Sequence, residues 1–150
     1  MENWKIVSKL SIAAAMLMTA QAHAKTKCPE PVSAAALKAY PDSKVSACKR
    51  EVDSGKVQFE VKLDSKADGK VELDIDTTGS ILLTEQIVPT DSVSQEALSA
   101  FKAKYPDAKI SRSEKQTKAD GSVTYELAFK EKNKKHEATF RQNGEFVEQE

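Results

Sequence analysis

Val57-Gln-Phe-Glu-Val-Lys-Leu63, then Asp68-Gly69, then Val71-Glu-Leu-Asp-Ile75 is the stretch that decides the fold. Apolar and polar residues alternate without a break on either side of the Asp-Gly pair. A period of two places Val57, Phe59, Val61 and Leu63 on one face of a strand and Gln58, Glu60 and Lys62 on the other. Val71, Leu73 and Ile75 alternate with Glu72, Asp74 and Asp76 in the same way. Asp-Gly supplies the positive φ of a tight turn, so the two runs read as a hairpin with one covered and one wetter face.

The same pattern returns further along the chain. Val123, Tyr125, Leu127 and Phe129 alternate, then Ala138 and Phe140, with Asp120-Gly121 and Asn143-Gly144 as turns. Helical spacing precedes each set of strands. Val93, Ala97, Leu98, Phe101 and Tyr105 form one stripe, opened by Ser92-x-x-Gln95 as a capping box and stopped by Pro106. A shorter helix is predicted over Val32–Tyr40, stopped by Pro41. Laid on itself at an offset of 65, the chain matches Tyr40-Pro41-Asp42 with Tyr105-Pro106-Asp107 and Gly79 with Gly144. The expected class is therefore α+β: two tandem repeats, about 28–86 and 93–150 with a joint at 87–92. Each would be a helix followed by about four antiparallel strands, together forming one curved sheet with helices on one face.

The start of the chain speaks to compartment. Lys5 and Lys9 precede the apolar run Leu10–Ala20, and Ala22-His23-Ala24 has the small-residue form of a cleavage site. Residues 1–24 read as a signal peptide cleaved after Ala24, which makes 25–150 an exported, periplasmic module with no membrane span left. Lys25-Thr-Lys27 before Cys28 is no lipobox. Basic and acidic residues balance at 23 each over the whole chain. The leader holds only Lys5, Lys9 and Glu2, so the balance survives its removal and argues against a nucleic-acid partner. Cys28 and Cys48 are the two cysteines, and an oxidising compartment favours a bridge between them, worth roughly 3 kcal/mol. The alternative is two unpaired thiols; the spacing fits neither a CxxC pair nor a four-ligand zinc site.

Ala100-Phe-Lys-Ala-Lys-Tyr-Pro-Asp-Ala-Lys109, Val123-Thr-Tyr-Glu-Leu127 and Asn143-Gly-Glu-Phe-Val-Glu148 give the chain a resemblance to the PepSY-like family, also described as β-lactamase-inhibitor-protein-like. Tyr40-Pro41-Asp42 and Thr78-Gly79 match it more loosely. The resemblance implies an exported binding or inhibitory module and brings no catalytic residue with it.

Candidate sites follow from residue type and face. His136 is the one histidine after residue 24 and falls at an inward strand position near a sheet edge. With no reduced cysteine beside it, it makes no nucleophile–base set, and no enzyme is predicted. Glu60, Glu72, Asp74 and Asp76 share the outward face. Asp74-x-Asp76-x-x-Gly79 lacks the twelve-residue calcium loop, so a solvated acidic face is the simpler reading. The corresponding Glu137, Thr139 and Arg141 are mixed, which confines the acidic surface to the first half. Two hairpin tips complete the candidate binding surface, one with Asp68 and one with Lys132, Lys134 and Lys135. No metal site and no cofactor are predicted. The function expected is a non-catalytic periplasmic binding module that docks a protein or peptide of the envelope, inhibition of an envelope enzyme being one form of this. The alternative is an envelope protein that senses a ligand or cation such as Ca²⁺.

Overall fold

The computed structural model describes residues 27–149; the signal-peptide reading of residues 1–24 lies outside them. The chain runs α1 (Glu30–Ala39), β1 (Ser43–Asp53), β2 (Lys56–Ser65), β3 (Gly69–Asp76), β4 (Ile81–Val88), a 3-10 turn (Thr90–Ser92), α2 (Gln95–Lys104), β5 (Lys109–Lys118), β6 (Val123–Glu131), β7 (Lys134–Arg141) and β8 (Phe146–Gln149). All eight strands form one antiparallel sheet in the order β1 to β8, each bonded to its neighbours in sequence.

This corrects the expected class. The protein is mostly β, one uninterrupted meander with two ten-residue helices, and not a pair of helix-plus-sheet repeats. The decisive pairing is β4 with β5, in register from Leu83↔Lys118 to Val88↔Ser113. It carries the hydrogen-bonded ladder straight across the supposed joint, whose Ile87 and Val88 are ladder residues. The landmarks that match at an offset of 65 are equivalent turns and helix stops along that single sheet.

Both helices lie on the face that carries Leu73 and Tyr125. Val32 and Ala36 of α1 pack on Phe59, Val61, Leu63, Val71, Leu73 and Ile75. Val93, Ala97, Phe101 and Tyr105 pack on Tyr125, Leu127, Phe129, Ala138 and Phe140. The alternation thus names the buried set of β2, β3, β6 and β7 correctly. Between the two clusters the helix-side residues of β4 and β5 are polar and half-buried: Thr84, Gln86, Lys115 and Thr117. Ser113, also there, is fully buried and hydrogen-bonded to the Thr90 hydroxyl at 3.0 Å.

Helix ends follow local chemistry. Pro29 and Pro31 start α1, and it stops at Ala39, ahead of Tyr40-Pro41. Ser94, not Ser92, caps α2: its Oγ accepts the Ala97 N–H at 3.2 Å, while Ser92 sits in the 3-10 turn. Gly144 and Gly79 are required where they stand. A Cβ on Gly79 would lie 2.8 Å from the Pro31 carbonyl oxygen in the first turn of α1, and its φ is +92°. Cys28, just before α1, is bonded to Cys48 of β1 with Cα atoms 5.5 Å apart, which ties the helix to the edge strand.

Candidate functional site

The face opposite the helices is covered by no other element among the described residues. Its centre is a row of carboxylates running across the strands. Glu60 on β2 stands opposite Asp74 on β3. Glu72 on β3 stands opposite Glu85 on β4. Glu114 on β5 stands opposite Glu126 on β6. Like charges in directly opposed cross-strand positions destabilise a sheet, and here three such pairs follow one another.

Three cations temper the row. Lys49 on β1 stands opposite Glu60 and is paired with Glu51 at 2.7 Å. Lys62 Nζ lies 3.2 Å from Glu60 and 2.9 Å from Glu72. Its own pKa is pushed up to about 12, first by the hydrogen bond to Glu72. The Arg112 guanidinium reaches Glu114 at 3.4 Å, Glu126 at 3.6 Å and Glu137 at 3.0 Å. Gln116 bridges the middle, donating to Glu85 at 2.8 Å and accepting from the Thr124 hydroxyl at 2.9 Å. Asp74 has neither an ion pair nor a hydrogen bond from any of these groups. Burial, then Glu51 and Glu60, push its pKa up to about 6. Burial, then Glu137 and Glu114, push Glu126 up to about 7 against the pull of Arg112. Burial also raises Glu85.

Beside the row lies an open cleft of about 370 Å³, lined by Lys62, Glu72, Glu85, Ile87, Arg112 and Glu114, among others. Ile87 is half exposed there and gives an otherwise charged cleft an apolar wall.

The structure brings Glu60, Glu72 and Asp74 together on this face, at the positions their alternation gives. Asp76 shares the face but serves the β3–β4 turn. Its Oδ1 accepts from the Thr78 N–H at 2.8 Å, the Thr78 hydroxyl at 2.6 Å and the Ser80 N–H at 2.9 Å. These bonds, the Thr78 hydroxyl first, hold its carboxyl below the ordinary range. Asp68 closes the β2–β3 tip with Ser65 at 3.0 Å. Lys132 and Asn133 form the β6–β7 turn with positive φ, Lys134 faces Glu131 and Lys135 faces Lys130. The two tips share one end of the sheet but are four strand spacings apart, about 19 Å at the usual separation, and make no common pocket. His136 packs its ring 5.6 Å from Phe129 on the helix side.

Glu85, Glu114 and Glu126 are the residues missed by the sequence reading. The acidic surface is not confined to the first half, since it continues through Glu137 on β7. The parity of Thr124-Tyr-Glu126 carried that signal once Tyr125 was assigned inward. No three His, Cys, Asp or Glu side chains among the described residues are placed to hold a metal ion, so the calcium alternative gains no geometry.

No protein-family model matches the sequence, and no curated protein matches it either. Solved structures do match in fold. A DUF2874-family protein from Bacteroides uniformis superposes with a TM-score of 0.68 at 16% identity, over 83% of this chain and 89% of that one. A Bacteroides eggerthii protein provisionally described as periplasmic gives 0.67 at 15% identity, over 83% and 88%. A BLIP-like protein from Bacteroides fragilis gives 0.62 at 19% identity, over 83% and 88%. None of the three carries the PepSY name, so that half of the resemblance finds no support, and at such identities the likeness speaks for the fold alone. The chain shares a BLIP-like fold.

Proposed function

We propose that this chain is a non-catalytic periplasmic module that docks a protein or peptide on its open sheet face, through basic side chains of the partner. One observation carries the reading: the three opposed carboxylate pairs Glu60–Asp74, Glu72–Glu85 and Glu114–Glu126. Opposite charges do face each other here, Lys62 with Glu72 and Lys49 with Glu60. A face that served only solubility would nevertheless have no need of the three like-charge pairs set among them. Concentrating acids here costs stability and gives the surface a field that attracts cations and speeds their encounter. The cleft beside Ile87 offers an apolar wall for the stem of an inserted lysine or arginine. The BLIP-like fold of the Bacteroides fragilis protein is in keeping with a binding role, and inhibition of an envelope enzyme is one form it would take. Cleavage after Ala24 belongs to the same proposal; intact mass of the exported protein should begin at Lys25.

The test pairs the wild-type protein with a triple variant, Glu72→Gln, Asp74→Asn and Glu126→Gln, each immobilised and exposed to periplasmic extract. A partner retained by the wild type and lost from the variant supports the face. Equal retention by both moves the site to the tips at 64–70 and 130–135. No retention by either removes the docking reading.

A further inference from the structure

We infer that docking on this face is coupled to proton release from the carboxylate row, so that the surface lets go of a basic partner as its surroundings acidify. The inference rests on the docking surface just proposed and adds its regulation.

The geometry sets up the coupling. Around Asp74 the facing groups are Glu60 and Lys62 from β2, Leu83 and Glu85 from β4, and Glu72 and Asp76 on its own strand. Glu51 and Asp53 of β1 add charge of the same sign. Two cations stand in this set: Lys62, taken by Glu60 and Glu72, and Lys49 of β1, which stands opposite Glu60 and is taken by Glu51 at 2.7 Å. Around Glu126 stand Arg112, Glu114 and Gln116 from β5, Glu137 and Thr139 from β7, and Thr124 on its own strand. A single guanidinium there serves three carboxylates. Each half of the row thus holds more carboxylates than its cations can balance, with Asp74 and Glu126 in half-buried positions where water screens them poorly. A proton is the smallest remedy for that excess, and the raised values of Asp74, Glu126 and Glu85 agree with it.

A lysine or arginine brought by a partner is the other remedy, and the two compete. Protonation neutralises the carboxylate that the incoming cation would pair with, and pairing expels the proton. By linkage the affinity falls up to about tenfold per pH unit for each proton that must leave. With groups titrating near 6 and 7, the loss falls between about pH 7.5 and 5.5.

The probe is a blocked peptide of alternating lysine and threonine, whose lysines project from one side of an extended chain. Calorimetry at pH 6.5 in two buffers of different ionisation enthalpy counts the protons released. Carbon-13 spectra of the side-chain carboxyls, recorded on the free protein, follow the titration of Asp74 and Glu126 directly. The expected result is a dissociation constant at least tenfold weaker at pH 5.5 than at 7.5, net proton release on binding, and a flattened pH profile in the Asp74→Asn, Glu126→Gln double variant. Binding with a flat profile, or carboxyls that titrate in the ordinary range, overturns the coupling and leaves the docking surface standing. Absence of binding at every pH overturns both.

Discussion

Gly144 in the β7–β8 turn lies so close to α2 that a Cβ placed on it would stand 2.8 Å from the carbonyl oxygen of Glu96. Its φ of +85° is also one that residues with a side chain rarely adopt. Gly121, with φ +81°, has nothing within 4 Å of such a Cβ. Gly121→Ala should therefore show backbone strain alone, about 1–2 kcal/mol, and Gly144→Ala should cost clearly more. Equal losses in denaturant melts would mean that α2 moves away from the turn at no cost.

Leu73→Ala tests the helix side of the same strand that bears Asp74. Leu73 is completely buried under α1. Its truncation should cost about 2–5 kcal/mol through lost burial and the cavity left behind. Urea unfolding reads this directly; a loss under about 1 kcal/mol would mean that the first core cluster collapses around the gap.

Cys48→Ser frees α1 from the edge strand. The bridged protein should show no reactive thiol before reduction, and the variant should lose roughly 3 kcal/mol by the loop-closure account. Free labelling of both cysteines in the native protein would contradict the bond.

Glu126→Gln should act on stability with a particular sign. The folded-state value of about 7 lies above the ordinary glutamate value of 4.5. Between those values the folded chain holds a proton that the unfolded chain has released. The stability this gives is full below about pH 4.5 and is lost as pH rises through 7. The glutamine variant should accordingly melt higher than wild type at pH 8 and almost level with it at pH 5. The gain should stay under about 1 kcal/mol for a partly solvated group paired with Arg112. A variant less stable at pH 8 would show that the Arg112 contact outweighs repulsion from Glu114 and Glu137.

What could be read from the sequence follows from which strands have one covered face. β2, β3 and β6 each lie under a helix, so one face is apolar, the other polar, and the alternation is plain. Glu60, Glu72 and Asp74 were placed on that evidence. β5, Ser-Arg-Ser-Glu-Lys-Gln-Thr-Lys from Ser111 to Lys118, lies between the helices and is polar on both faces, so no period shows. β1 is an edge strand with Lys49, Arg50 and Glu51 in succession and hides its period for a different reason. With no period in β5 to show that it pairs with β4, the chain divided at 87–92 into two helix-plus-strand repeats and the class came out as α+β. The acidic row was half seen for a related reason: parity gives the face of Glu126, but only the register from β4 through β5 sets Glu85 opposite Gln116 and Glu114 opposite Glu126. Asp76 shows the converse limit: alternation gives its face but cannot tell that its carboxylate is committed to Thr78 and Ser80.

The order of the sheet carries a consequence for how the chain reaches its native state. Every strand pairs with the one before it, and all but one of these pairings close through a short turn. The exception is β4 with β5, which must wait for the segment Pro89–Ala108, α2 included, to fold back. Local hairpins form in microseconds, whereas joining distant segments carries the loop-closure entropy that sets folding speed. The seam between Leu83–Val88 and Ser113–Lys118 is thus expected to be the last registration made and to limit the rate. The transition state would then include it, which φ-values near zero at Thr84 and Thr117 would contradict. Stabilising that seam, for instance by replacing Lys115 with a residue that packs on Gln86, should quicken refolding more than any equal gain within the β2–β3 hairpin.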